Sequence, residues 1–106
     1  MKDGIYKVNF DSNQNDYGDG IISVSGSSIN GGDYVCYYQG VMIGNKADLR
    51  VVRHNKQVTT VFGNLDKLDL DLSFTEGPVG ITFTGNVKGQ PELKMVGTMT
   101  FLDDLV

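Results

Sequence analysis

Hydrophobic and polar residues alternate with period two along most of this chain. The clearest run covers residues 67–75, where apolar side chains occupy every even position and polar side chains every odd one. Alternation of this kind gives a β-strand one buried face and one solvated face. The same pattern recurs at residues 6–10, 79–84 and 93–101. It predicts an all-β fold built from antiparallel strands.

Clusters of Gly, Asn, Asp and Pro separate the apolar runs and mark tight turns. They lie at residues 13–16, 25–27, 31–33, 44–45, 76–78 and 88–91. We therefore predict eight strands, at residues 4–11, 17–25, 28–32, 36–44, 47–54, 66–75, 79–87 and 92–102. Eight short antiparallel strands lose their exposed edges when the sheet closes on itself. The prediction is one domain over residues 1–106, a small antiparallel eight-stranded β-barrel, with an open two-sheet sandwich as the alternative.

Residues 55–65 form the longest connection and break the alternation. Four consecutive β-branched residues at 58–61 favour a strand in this segment. One helical turn that crosses an end of the barrel is the alternative.

The predicted strands also define which side chains face the barrel interior. An interior of about eight strands is just large enough to be filled by side chains or to hold one small ligand. Both outcomes stay open, a carrier for an apolar or lipid-like molecule and a filled core. The predicted interior residues are Tyr6, Val8, Phe10, Leu68, Leu70, Phe74, Ile81, Phe83, Met95 and Met99.

Charge and composition exclude several classes of partner. The chain has 106 residues, with 9 basic and 13 acidic side chains and a net charge of -4. Nucleic acids and anionic membrane surfaces are bound mainly through clustered Lys and Arg, so neither is an expected partner. Cys36 is the only cysteine, and no apolar run resembles a signal peptide or a membrane span. We expect a cytoplasmic protein.

The residues that carry common catalytic chemistry are sparse. His54 is the only histidine, and Cys36 lies among aromatic and apolar neighbours rather than beside a cation that would activate its thiol. The segment 11–16 begins like a calcium-binding loop, but Asp16 occupies the position of the required glycine. We therefore expect a protein that is not an enzyme and that uses no metal or cofactor.

Five short sequence words resemble the GrlR-like family. They are MKDGIY at residues 1–6, GDGII at 18–22, NGGD at 30–33, YYQG at 37–40 and VFG at 61–63. The resemblance is ordered and covers most of residues 1–63. It implies a small lipocalin-like barrel and a cytoplasmic, dimeric negative regulator of type III secretion genes. Such a regulator sequesters a transcriptional activator by protein–protein contact and does not touch DNA.

The chain departs from that family directly after Gly40. The family member with this function has an acidic Glu-Asp-Glu-Asp loop there, whereas this chain has a single acidic residue among positions 41–48. The strand 37–43 is apolar on both faces, although a barrel strand should be polar outside. We therefore expect a homodimer or a protein partner to use this region. The predicted partner-binding residues are Tyr38, Val41, Met42, Ile43, Asn45, Lys46 and Asp48.

Overall fold

The computed structural model describes residues 1–14, 16–78 and 80–106 of the chain. Within these residues, eight antiparallel strands form a closed barrel in which each strand pairs with its neighbours in the sequence and β8 pairs with β1. The strands are β1 Gly4–Ser12, β2 Tyr17–Ser25, β3 Ser28–Gly32, β4 Cys36–Ile43, β5 Lys46–Arg53, β6 Lys67–Gly77, β7 Gly80–Val87 and β8 Gln90–Asp103. The predicted all-β, lipocalin-like barrel is confirmed, and the alternative of an open sandwich is wrong.

The predicted strand boundaries agree with the structure to within two residues at each described end. The predicted start of β7 at Val79 and the Asn15 position of the first turn lie outside the described residues. Strand β6 shows why the predicted and observed strands agree closely, because its residues alternate strictly between buried and exposed over residues 67–75. Closure of the sheet buries one side of every strand, so the alternation in the sequence maps directly onto the two barrel faces.

The two ends of the barrel differ in how they are closed. The connections β1–β2, β3–β4, β5–β6 and β7–β8 all lie at one end, and the chain termini lie at the other. At the end with the termini, Tyr6 packs edge-to-face on Phe101, with ring centroids 5.4 Å apart. Lys2 lies over the outer side of the same Phe101 ring, 4.2 Å from its centroid. No helix in the described residues is long and apolar enough to cross a membrane.

Residues 54–66, which we call the cap segment, cross the end opposite the termini. Thr60 and Phe62 are buried there, and the backbones of Thr60 and Gly63 exchange hydrogen bonds of 2.9 and 3.0 Å. The Ser12 hydroxyl donates to the Val61 carbonyl oxygen at 2.6 Å and ties the segment to β1. The segment is thus neither of the two predicted alternatives, a strand or a helical turn. Its β-branched residues have no neighbouring strand to pair with, because β5 and β6 already pair with each other.

Candidate ligand cavity

A cavity of about 380 Å³ lies inside the barrel beneath the cap segment. Inward side chains from β1 to β8 form its wall, and residues 58–62 of the cap segment form its roof. Its rim includes residues 16–19 at the start of β2 and residues 33–36, which lead into β4. The volume falls in the range of roughly 300–1,000 Å³ that small-molecule sites occupy, and the wall is mostly apolar, as in such sites.

Most of the residues predicted to face the interior line this cavity. They are Val8, Phe10, Leu68, Leu70, Phe74, Phe83, Met95 and Met99. Tyr6 and Ile81 were predicted with them and lie elsewhere. The Tyr6 hydroxyl donates to the Lys2 carbonyl oxygen at 2.5 Å, near the chain termini, and Ile81 shares a shallow surface pocket with Tyr6 there. An inward-facing position was therefore not sufficient for a residue to line the cavity, because packed side chains fill the interior near the termini.

Several lining residues were not predicted from the sequence. They are Ile22, Ile29, Cys36, Tyr38, Leu49, Val51 and Leu72. These residues also lie at alternating positions of their strands, so the period-two signal for them was present. Residues 58–62 also line the cavity, but no period-two pattern in the sequence indicated this, because a connection that folds over a barrel end has no periodic pattern.

A hydrogen-bonded pair, Asp33 and Tyr38, forms the polar part of the rim. The Asp33 carboxylate accepts hydrogen bonds from the backbone N–H groups of Val35 at 2.7 Å and Cys36 at 2.6 Å, and from the Tyr38 hydroxyl. Burial raises the pKa of Tyr38 far above its ordinary value, and the hydrogen bond to Asp33 raises it further. Tyr38 therefore stays a neutral hydroxyl and keeps one lone pair available to a ligand.

Cys36 lines the cavity beside this pair. Its side chain is buried, and burial raises the pKa of its thiol to about 11, with the nearby charge of Asp33 adding to the shift. A thiol with a pKa in that range stays protonated at neutral pH, and the protonated form is a poor nucleophile. Cys36 therefore acts as a small apolar wall group.

Arg53 anchors the cap segment to the barrel. Its guanidinium donates to Asp66 Oδ1 at 2.6 Å, to Asn64 Oδ1 at 2.9 Å and to the Val58 carbonyl oxygen at 3.3 Å. The hydrogen bond from Arg53 lowers the pKa of Asp66, and the charge of Lys56 lowers it further. One buried side chain at the end of β5 thus holds both ends of the cap segment over the cavity.

The predicted partner-binding residues are divided between the two faces of β4. Tyr38 and Met42 point into the barrel and are buried, so they are not part of its outer surface. Val41 and Ile43 are exposed, at 55% and 78%, and Tyr37 beside them is 42% exposed. Asn45 lies in the β4–β5 connection and Lys46 begins β5, and both are exposed. The remaining residue, Asp48, is exposed on β5 and forms an ion pair with Lys88, with 2.8 Å between Oδ1 and Nζ, and Lys88 also lies 3.6 Å from Asp71 Oδ1.

No model of a known protein family matches the chain, and a search of curated proteins found no match either. Among the described residues, no group of three or more His, Cys, Asp or Glu side chains is placed to hold a metal ion.

Proposed function

We propose that this protein binds and carries a small apolar molecule inside the barrel. The observation that supports the proposal is the cavity of about 380 Å³ with an apolar wall. Protein interiors are close-packed and contain few voids larger than a water molecule, so a space of this size in a small core is unusual. An apolar void is poorly hydrated and gains free energy when an apolar ligand replaces the missing packing contacts.

The size of the cavity limits the ligand. At roughly 30 Å³ per non-hydrogen atom, the volume that a water molecule occupies in the liquid, the cavity accommodates about a dozen such atoms. A medium-length alkyl chain or a one- or two-ring aromatic molecule meets this limit. The access route passes the rim between residues 16–19, residues 33–36 and the cap segment.

We expect Val51→Phe to abolish binding of a small neutral apolar dye such as the two-ring fluorophore 1-naphthylamine while leaving the barrel folded. Val51 is buried and lines the cavity, so the added ring atoms have space in the position that the ligand would occupy. Dye fluorescence measures binding, and thermal unfolding measures stability.

The matched control is Val24→Phe. Val24 also points into the barrel and is fully buried, but it does not line the cavity. Overpacking at such a position costs about 1–3 kcal/mol of stability, so this variant should unfold more easily and still bind the dye. If the unsubstituted protein fails to bind any apolar dye, or if Val51→Phe binds it equally well, the cavity is not a binding site.

A second function is supported by the outer face of β4. We propose that the protein is a GrlR-like homodimeric negative regulator that contacts a transcriptional activator through Tyr37, Val41 and Ile43. Exposed apolar side chains on one face of a strand often mark a protein-binding surface, and on the outer face of β4 one polar residue, Gln39, separates Tyr37 from Val41. The β4–β5 connection consists of Gly44 and Asn45 and contains no acidic residue. Apolar contact would therefore replace charge as the source of affinity.

Val41→Glu should weaken binding to such an activator at least tenfold, because it places a charge in an apolar contact. Val96→Glu is the matched control, since Val96 on the outer face of β8 is 54% exposed, close to the value for Val41. Calorimetry with a purified activator measures the affinity, and light scattering at tens of micromolar protein measures dimerisation. Equal effects of the two substitutions, or no binding by the unsubstituted protein, would contradict this function.

A further inference from the structure

We propose that the cavity selects an apolar molecule with a positively charged head group, such as a protonated alkylamine, over the corresponding carboxylate. This inference rests on the proposed carrier function and adds the chemical class of the ligand. Its basis is the charge carried by the residues around the cavity, together with the position of those charges at the rim.

Every charged residue among the described residues that line the cavity is acidic. They are Asp16, Asp19 and Asp33, and no Lys, Arg or His is among them. Barrels that carry fatty acids need a cation or several hydrogen-bond donors for the carboxylate, because a buried charge without a partner is costly. In this barrel the described wall offers no such cation, so a fatty acid would meet three like charges at the rim.

The nearest basic side chains, Arg53 and His54, are hydrogen-bonded to other groups and do not line the cavity. The Arg53 guanidinium lies next to Asp66, Asn64 and the Val58 carbonyl oxygen, and its donors are directed at these groups. The His54 ring is exposed, and its Nε2 lies 2.9 Å from the Asp33 carbonyl oxygen. The charge at the cavity mouth is therefore set by the carboxylates.

Gly20 places the start of β2, which includes Asp19, next to the Asp33–Tyr38 pair. A Cβ atom at this position would lie 2.9 Å from the Tyr38 hydroxyl oxygen and 3.1 Å from Asp33 Cβ, so β2 approaches the Asp33–Tyr38 pair closely only because Gly20 has no side chain. Asp19 precedes Gly20 and, like its β1 partner Asn9, lies on the outer face of the barrel, so its charge acts on the Tyr38 hydroxyl from outside, whereas the Asp33 carboxylate accepts the hydrogen bond of that hydroxyl. A cationic head group at this point would meet the Asp33 carboxylate and the Tyr38 hydroxyl oxygen, with the charge of Asp19 close by.

Opposite charges attract more strongly at such a rim than in open water. Apolar walls lower the local dielectric constant, and a cleft lined by charges of one sign focuses their field on the ligand. The net charge of -4 acts in the same direction at longer range. The alkyl chain of an amine can then pack inside the apolar cavity while its ammonium group stays at the solvated rim near the carboxylates.

The test compares decylamine, decanol and decanoate as competitors of 1-naphthylamine, which is neutral, at pH 7. Each of the three has ten carbon atoms, a size that suits the cavity, and they differ mainly in the head group, which is cationic, neutral or anionic. We expect decylamine to bind most tightly and decanoate at least about tenfold more weakly, with the difference shrinking as salt screens the rim. If none of the three displaces the dye, the carrier function fails. If they compete and decanoate equals or exceeds decylamine, only the inferred head-group preference is overturned.

Neutralising the rim separates a local effect from the net charge of the protein. Asp16→Asn combined with Asp19→Asn changes two exposed side chains and leaves Asp33 intact. We expect this variant to bind decylamine about threefold to tenfold more weakly and decanol unchanged. The control combines Asp103→Asn with Asp104→Asn, which removes the same charge at the opposite end of the barrel. An equal loss of decylamine affinity in the control, or no loss in the rim variant, would overturn the proposal.

Discussion

Replacing Asp33 with alanine is expected to lower the free energy of unfolding by about 3 kcal/mol, the sum of several lost hydrogen bonds to a charged group. The Asp33 carboxylate accepts from the backbone N–H groups of Val35 and Cys36 and from the Tyr38 hydroxyl. Cys36 and Tyr38 are both buried, so their donors cannot all turn to water when the carboxylate is removed. Urea denaturation followed by fluorescence or circular dichroism measures the change.

Two further variants show which of these hydrogen bonds matters. Asp33→Asn keeps one acceptor oxygen for the two backbone N–H groups, so it should cost about 1 kcal/mol. Tyr38→Phe removes only the hydroxyl, and the half-exposed Asp33 can then bind water, so its cost should be similar. If Asp33→Ala is no more destabilising than Tyr38→Phe, the carboxylate does not order the β3–β4 connection, and the rim of the cavity is held by other contacts.

Gly31→Ala should lower the free energy of unfolding about as much as Asp33→Ala, for a steric reason. Gly31 faces the interior between its β2 partner Ile22 and its β4 partner Tyr38. A Cβ atom there would lie 2.7 Å from the Ile22 Cα and closer still to the Ile21 carbonyl oxygen. Both are backbone atoms that a rotamer change cannot move, so strands β2 and β3 would have to separate. We expect a loss of about 3 kcal/mol, the upper part of the range for overpacking.

Gly77→Ala is the matched control for that substitution. Gly77 is exposed at the end of β6, and a Cβ atom added there would lie 3.6 Å from the Gly80 carbonyl oxygen, an ordinary van der Waals distance. This change should alter stability by no more than about 0.5 kcal/mol, as for most surface substitutions. Thermal unfolding measures the stability of both variants. Equal stabilities of Gly31→Ala and Gly77→Ala would show that the barrel accommodates a side chain at position 31.

The sequence by itself determined the strands and the two faces of most of them. Residues 67–75 illustrate the reason, since a strict period of two leaves only one way to place the apolar side chains against a core. The turn residues between the strands then favoured a meander, and a meander of eight strands favoured closure. This local rule placed all ten predicted interior residues on the inward face, and eight of them line the cavity.

Only the tertiary structure decided which part of the interior stays empty and what closes it. Tyr6 and Val8 are both buried on the inward face of β1, yet only Val8 lines the cavity, because the end near the termini is filled by packed side chains. The cap segment escaped prediction because its position depends on Arg53, Ser12 and the barrel rim rather than on its own propensities. The rim charges likewise come from two separate parts of the chain, residues 16–19 and Asp33. Local patterns determine which way a side chain points, whereas cavities and charge clusters depend on distances between residues far apart in the sequence.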